Sequence, residues 1–472
     1  MDLCLGSARA LADALARKEL SSRDLLEVYL QRVDKLNPEL NAVVTLDVEG
    51  ATARATELDD IVARSGPVGR LHGLPITVKD ALETAGMRTT SGAKEFADHV
   101  PERDADAVAR LKAAGAVIFG KTNMPAYADD HQTDNELFGR TNNPWDLSLT
   151  SGGSSGGSAV AVAAGLTSFE VGSDIGNSIR SPASHCGIYG HKPTYGLVPY
   201  RGHIPPRPGA LAPPDLSVVG PMARSAEDLS FVMSVLGGTD YDPEPRVGPL
   251  DNLRVAAWLD DPDNPTAPEV LDVLEGSLDR LEAAGLHVDR GARPKFSMRD
   301  ARRIYRALLV AAQVQGLPDA PDLVQEHLQD DGPAGIWARN ASMSHREWLE
   351  LDEERRRLQA RWAEFFSDFD ALITPCNPLP PFAHDSVGGF DPERLVTIGE
   401  RQYRYYSQSL WAGLSGVAYL PGTSAPAGRT HQGAPVGLQI IGPLGGDATC
   451  ISAAASFASL LGGYEPPPMA LL

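Results

Sequence analysis

Two glycine-rich turns carry serines in a setting suited to attack on a carbonyl. The first is Gly152-Gly153-Ser154-Ser155-Gly156-Gly157 and the second is Asp174-Ile175-Gly176-Asn177-Ser178. A turn that aims several backbone N–H groups at one point needs dihedral angles that bulky residues avoid, and the missing Cβ atoms let a substrate approach. Converging N–H donors solvate a developing oxyanion, and a serine at the end of such a turn can attack while that charge is already stabilised. Ser178 has this position, exposed at the end of its turn. Ser154 and Ser155 lie upstream, where a hydroxyl can relay a proton. Gly/Ser composition more often marks a flexible linker. An apolar Ala/Val run follows the first turn directly, however, and a linker is not normally embedded in core-like sequence.

The relay needs a base. Leu71-His72-Gly73-Leu74-Pro75-Ile76-Thr77-Val78-Lys79-Asp80 reads as a buried strand that ends in a lysine. A lysine at a strand end is usually solvated. One desolvated among apolar neighbours loses its proton more readily and can act as a general base.

The elements that must position these groups alternate between helix and strand, the pattern of an α/β sheet. Residues 7–37 read as two helices, the second opened by Ser21 and Asp24 and carrying Leu26, Tyr29, Leu30 and Val33 on one face. Residues 104–115 read as a helix stopped by Gly115, and 116–120 as the strand after it. Ser225 caps a helix from about Ala226. The Pro- and Asp-rich stretch 239–252 reads as a linker or long loop. Beyond it come a strand at 253–258, an amphipathic helix at 269–284, a short strand at 286–288 and charged helical sequence over 299–366. Strands are expected at 371–375, 417–421 and 435–443. The chain reads as one α/β domain spanning 1–472, with core segments at about 60–235 and 370–460 and a variable helical segment at about 239–370.

Composition narrows the partners. The 472 residues are 42% apolar and 22% charged, an ordinary globular balance, with 42 basic against 62 acidic side chains and a net charge of −20. Such a field opposes direct binding to nucleic acid or an anionic membrane and suits a small-molecule substrate. Cys4, Cys186, Cys376 and Cys450 are scattered, which suggests neither a disulfide framework nor a zinc site. No secretory signal and no bilayer-spanning run is recognisable, so a cytoplasmic location is expected.

Lys79, the Gly-Gly-Ser-Ser-Gly-Gly turn and the Asp-x-Gly-x-Ser-Ile-Arg turn, in that order, resemble the amidase signature family. The resemblance continues through Lys192-Pro193-Thr194, residues 220–225 and residues 433–439. It implies a large, mixed, twisted central β-sheet sandwiched between α-helices, and a Ser–cis-Ser–Lys triad. Ser178 would be the nucleophile, Ser154 the bridging serine after a cis peptide bond, and Lys79 the base. The backbone N–H groups of Ile175, Gly176, Asn177 and Ser178 would form the oxyanion hole, with Ser155, Asp174 and Arg180 supporting the turns. The reaction implied is hydrolysis of an amide to a carboxylic acid and ammonia or an amine, with no metal or organic cofactor. A homodimer is compatible with this reading.

One position departs from the family pattern. Asn177 stands where a second glycine is usual, and its side chain would sit beside the oxyanion hole, narrowing the pocket, adding a donor or impairing catalysis. Asn tolerates left-handed dihedrals better than most residues, so activity with a restricted substrate scope is expected. Two alternatives remain: an amidotransferase-type A subunit releasing ammonia from glutamine for a partner complex, and a catalytically silent binding or scaffold member.

Other constellations are weaker. No histidine spacing suggests a metal site, a Ser-His-Asp elbow fits only in a shifted frame, and no Gly-Lys-Ser/Thr follows the glycines. His185 and Cys186 read as packed near the site. Tyr403, Tyr406 and Leu410 fall on one face of a helix over 401–411, best explained by core packing, with pocket lining as the lesser reading. Of Trp258, Trp337, Trp348 and Trp362, most should be structural, with an acyl pocket as the other use.

Overall fold

Helices start where polar caps meet apolar spacing. α1 (Ala8–Ala16) follows Ser7, whose hydroxyl accepts the Ala10 N–H, and α2 (Ser22–Leu40) follows Ser21, whose hydroxyl accepts the Asp24 N–H. α2 buries Leu26, Tyr29 and Val33 and packs Leu30 partly against the same core. The computed structural model describes residues 2–242, 244, 253–317, 319–385, 391 and 393–472. Of the stretch expected as a linker, 243 and 245–252 lie outside the described residues.

β1 (Val43–Leu46), α3 (Val48–Ser65), β2 (Pro75–Lys79), α4 (Asp106–Ala113) and β3 (Val117–Thr122) come next. Gly115, at φ +95°, ends the α4 turn as expected. The three strands form a small sheet of their own, β3 in the middle, antiparallel to β1 and parallel to β2, with Lys79 opposite Thr122. The lysine strand is therefore outside the central sheet.

The chain continues through α5 (Gly156–Ala163), β4 (Glu170–Asp174), α6 (Arg180–Cys186), β5 (Tyr189–Lys192), β6 (Val218–Ala223) and α7 (Ala226–Leu236). β7 (Arg254–Ala257), α8 (Pro268–Ala283), β8 (His287–Asp289), α9 (Met298–Gln313), α10 (Ala320–His327), α11 (Pro333–Ala341) and α12 (His345–Asp368) follow. The last section holds β9 (Ala371–Pro375), β10 (Leu395–Ile398), β11 (Arg401–Arg404), α13 (Leu410–Val417), β12 (Gly422–Arg429), β13 (Pro435–Ile441) and α14 (Asp447–Leu461).

Eight strands make the mixed, twisted central sheet, in the order β4-β6-β5-β12-β13-β9-β7-β8. Neighbours from β4 to β9 are antiparallel, and β9, β7 and β8 are parallel. The segment read as variable adds β7 and β8 to one edge, at the two places where strands were expected in it. Helices flank the sheet through two apolar clusters. The larger draws on α2, α5, α7, α8 and α14, and the second gathers Trp258, Tyr305, Trp362 and Trp411 with α9, α12 and α13.

Two local expectations are corrected. Residues 417–421 are not a strand: Val417 ends α13, and pairing begins at Gly422. All of α13 is buried, so it lacks the polar stripe that would have marked it as a helix. Residues 401–411 do not form one helix either, because β11 hairpins with β10 and a 3₁₀ turn over Tyr405–Ser409 precedes α13. Among the described residues, no helix is long and apolar enough to cross a membrane.

Candidate active site

The glycine-rich turn is packed, not flexible. A Cβ on Gly153 would lie 2.4 Å from the Asp130 carbonyl oxygen, and one on Gly157 would lie 2.4 Å from the Asn123 nitrogen. The Gly153–Ser154 peptide bond is cis, as the resemblance implied. Ser155 ties the two turns together: its N–H donates to the Ser178 carbonyl at 3.1 Å and its hydroxyl to the Ser173 carbonyl at 3.3 Å.

Lys79 reaches this turn from the end of β2 and is fully buried. Its Nζ lies 2.6 Å from Ser154 Oγ and 3.0 Å from Ser173 Oγ. Burial pushes the amine down from 10.5 to about 7, against the opposing pull of Asp174 and Glu170. Much of it is therefore neutral at physiological pH, the state a base requires.

Beyond Lys79 the network continues through two residues that the sequence did not single out. Ser173 precedes Asp174 in β4, and its Oγ lies 2.8 Å from His203 Nε2. His203 Nδ1 lies 2.8 Å from the Pro205 carbonyl and 2.9 Å from the Tyr200 hydroxyl; in the tautomer that donates Nδ1–H to the carbonyl, Nε2 accepts the Ser173 hydroxyl proton. Burial, with the nearby Lys79 charge, holds the His203 ring down at about 3, hence neutral. In that tautomer the Ser173 proton goes to His203, and Ser173 can only accept from Lys79. The lysine lone pair is thereby left for Ser154.

The second turn is built on Asp174. Its carboxylate accepts the N–H of Asn177 at 2.9 Å and of Ile179 at 3.1 Å, together with Arg180 Nε at 2.9 Å and Nη2 at 2.8 Å. Burial would raise this carboxyl, but the Arg180 guanidinium outweighs it and holds the group at about 2. Arg180 reaches on to the Ala412 carbonyl and Ser415 Oγ on α13, which locks the turn to the central sheet region. Four N–H groups were expected to face an oxyanion. The Asn177 N–H is spent on Asp174, whereas those of Ile175, Gly176 and Ser178 donate to no group among the described residues.

Asn177 adopts φ +89°, the left-handed region expected for the glycine it replaces. Its side chain does not sit beside the oxyanion turn. Nδ2 donates to the Cys376 carbonyl at 3.0 Å and to Asn377 Oδ1 at 2.8 Å, just past β9. Asn177 lines neither of the cavities at the site. It is a brace between two loops, which removes the geometric ground for a silent site.

Ser178 is only 7% exposed, not open to solvent as expected, and is reached through a cavity of about 470 Å³ that Ile175 and Gly176 also line. A smaller adjoining cavity is lined by Ser154, Ser173, Ser178 and His203. Among the aromatics, Tyr406 and Trp337 line the larger cavity, whereas Trp258 and Trp362 belong to the core and Trp348 packs against it. His185 is buried edge-on to Phe382, with the Leu379 backbone beside its ring.

The family model described as Amidase matches residues 24–451. The chain is 32% identical to the A subunit of a Glutamyl-tRNA(Gln) amidotransferase from a Cyanothece species, over 93% of this chain and 94% of that protein. Among solved structures it resembles an amidase at TM-score 0.81 and 28% identity, covering 97% of this chain and 100% of the other. A 6-aminohexanoate cyclic dimer hydrolase complexed with substrate also superposes at TM-score 0.81, with 26% identity and full coverage of both chains. With the cis-serine turn, the buried lysine and the mixed sheet in place, the chain belongs to the amidase signature family, hydrolases that cleave amide C–N bonds with a Ser–cis-Ser–Lys triad.

Proposed function

We propose that the chain is an amidase in which Ser178 is the nucleophile, Ser154 the relay and Lys79 the base. The observation that carries this reading is the 2.6 Å contact between a buried lysine and a serine that shares a cavity with Ser178. Neutral Lys79 takes the Ser154 proton as Ser154 takes that of Ser178, and Ser178 Oγ bonds to the carbonyl carbon. The oxyanion is held by the N–H groups of Ile175, Gly176 and Ser178. The relay then runs backward, the leaving nitrogen is protonated and the C–N bond breaks. Water enters, gives its proton to the same relay and releases the acid.

The test is mass-spectrometric product analysis with aliphatic, aromatic, aminoacyl and glutamine amides. Ser178→Ala should lower turnover by at least ~10³-fold while leaving substrate binding measurable. Turnover that survives the substitution would reject Ser178 as nucleophile. A second reading, as the glutamine-hydrolysing member of an amidotransferase, is favoured by the A subunits among the curated relatives. Glutamine as the only amide consumed, and only with a partner complex added, would select it.

His203 acts here as a positioning residue. Without it the Ser173 proton is free to occupy the Lys79 lone pair in competition with Ser154. His203→Leu should lower kcat by roughly tenfold with KM unchanged, and His203→Gln, which can still accept, should recover part of that loss. Equal kcat in the wild type and the leucine variant would dismiss the role.

A further inference from the structure

A wall of the larger cavity, which Ser178 also lines, carries a cluster of arginines that ion pairs within the fold only partly account for. Arg299, Arg302, Arg303 and Arg306 of α9 line it, at the spacing i, i+3, i+4, i+7 that puts side chains on one helical face, and Arg404 of β11 joins them. The other face of α9 is the one the fold needs, with Ile304, Tyr305 and Leu308 buried in the core. Stacked like charges destabilise a helix, a cost that the ion pairs of Arg299 and Arg303 offset only in part. It also stands out in a chain whose net charge is −20.

Most of these cations are committed. Arg299 pairs with Asp263 at 3.1 Å, Arg303 with Glu354 and Arg404 with Glu393. Arg302 donates to the Asp263 backbone carbonyl at 2.9 Å, which leaves its charge uncompensated. Arg306 is half-buried and makes no hydrogen bond or ion pair among the described residues. The other acids that share the cavity do not answer it. Asp130 is taken by Arg394 at 3.1 Å and by the Tyr405 hydroxyl at 2.6 Å. Asp129 faces Gln313 at 3.4 Å, and burial beside Asp130 raises its carboxyl to about 7. An uncompensated guanidinium pair in a cleft that holds a drug-sized molecule is a fork awaiting a planar anion.

We propose that Arg306, assisted by Arg302, forms a subsite for a carboxylate carried by the substrate, so that the preferred substrates are amides bearing a second, anionic group remote from the scissile bond. This rests on the reading of Ser178 as the nucleophile in the same cavity. The subsite adds orientation: a charge held at the α9 wall sets the distance at which the amide meets Ser178.

The test compares glutaric acid monoamide with valeramide, each as the primary amide and as the anilide, and reads the ratio of kcat/KM for the charged over the neutral member. The wild type should favour the charged member by at least about tenfold, and Arg306→Gln should lower that ratio by a similar factor, with Arg306→Lys keeping part of it. A measurement that needs no arginine variant is competitive inhibition, in which glutarate should surpass neutral glutaramide. A wild-type ratio near one, an equal loss on both members in Arg306→Gln, or glutarate no better than glutaramide would overturn the subsite. Calorimetry of glutarate with the Ser178→Ala protein separates the two readings. Binding that disappears when Arg306→Gln is added, where the wild type hydrolyses no amide, keeps the subsite and rejects the hydrolytic reading. Turnover of valeramide without glutarate binding keeps the hydrolysis and rejects the subsite.

Discussion

Lys79→Met should remove turnover by at least ~10³-fold and, at the same time, stabilise the fold at neutral pH. The two effects share one cause. Holding the Lys79 amine at about 7 instead of 10.5 costs on the order of 4 kcal/mol at pH 7. Methionine fills similar space without a charge to desolvate. The hydrogen bonds to Ser154 and Ser173 are lost in exchange, at about 1 kcal/mol each, so a net gain of roughly 2 kcal/mol is expected from urea unfolding. The pH dependence carries the proof. Below about 7 the folded and unfolded chains both hold the proton, and the penalty in the wild type is full. Between 7 and 10.5 only the unfolded chain holds it, so wild-type stability climbs relative to the variant by about 1.4 kcal/mol per pH unit, and above 10.5 the difference levels off. Wild-type kcat/KM should rise through the lower end of that window as Lys79 loses its proton. A variant no more stable at pH 7, with a flat difference from the wild type, would mean that Lys79 is not held neutral.

The second large effect belongs to the turn. Asp174→Asn should destabilise the protein by roughly 3–5 kcal/mol, because Arg180 stays buried with its charge unanswered. Both partners are at most 1% exposed at the side chain, so solvent cannot take over. The carboxylate also organises the backbone, accepting the N–H groups of Asn177 and Ile179 on either side of Ser178. Activity should therefore fall further than stability does, even where the variant remains folded. An exposed pair gives the contrast: Glu350→Gln, which breaks the surface bridge to Arg346, should change stability by less than about 0.5 kcal/mol. Since burial is outweighed by Arg180 and Asp174 sits at about 2, its contribution is complete above its ordinary 3.8 and is lost as pH falls toward 2. Equal stability of Asp174→Asn and the wild type at pH 7 would contradict this account.

What could be read from the chain alone was whatever is local. A glycine-rich turn, a strand ending in lysine and a serine cap each declare themselves within a few residues, because backbone dihedrals, hydrophobic period and capping act over that distance. The serine-bearing turns, the lysine strand and four of the eight central strands, β7, β8, β9 and β13, were legible for that reason, whereas the mixed sheet followed from the family resemblance. Helix α13 was not, since a helix buried on every side has no period to read.

Tertiary structure decided what depends on residues far apart. The Asn177 side chain could point into the site or away from it until the Cys376–Asn377 corner, 199 and 200 positions later, supplied the acceptors that turn it away. Its N–H was an oxyanion donor by position and an Asp174 partner by geometry. The His203–Ser173 contact spans 30 residues, and no motif announces it. The arginines of α9 read as an ordinary charged face, because helical spacing says which side chains stand together but not whether water or a cavity lies before them. The chemistry of this protein is written in short segments; which groups are free to perform it is settled by the hydrogen-bond partners that folding brings from elsewhere in the chain.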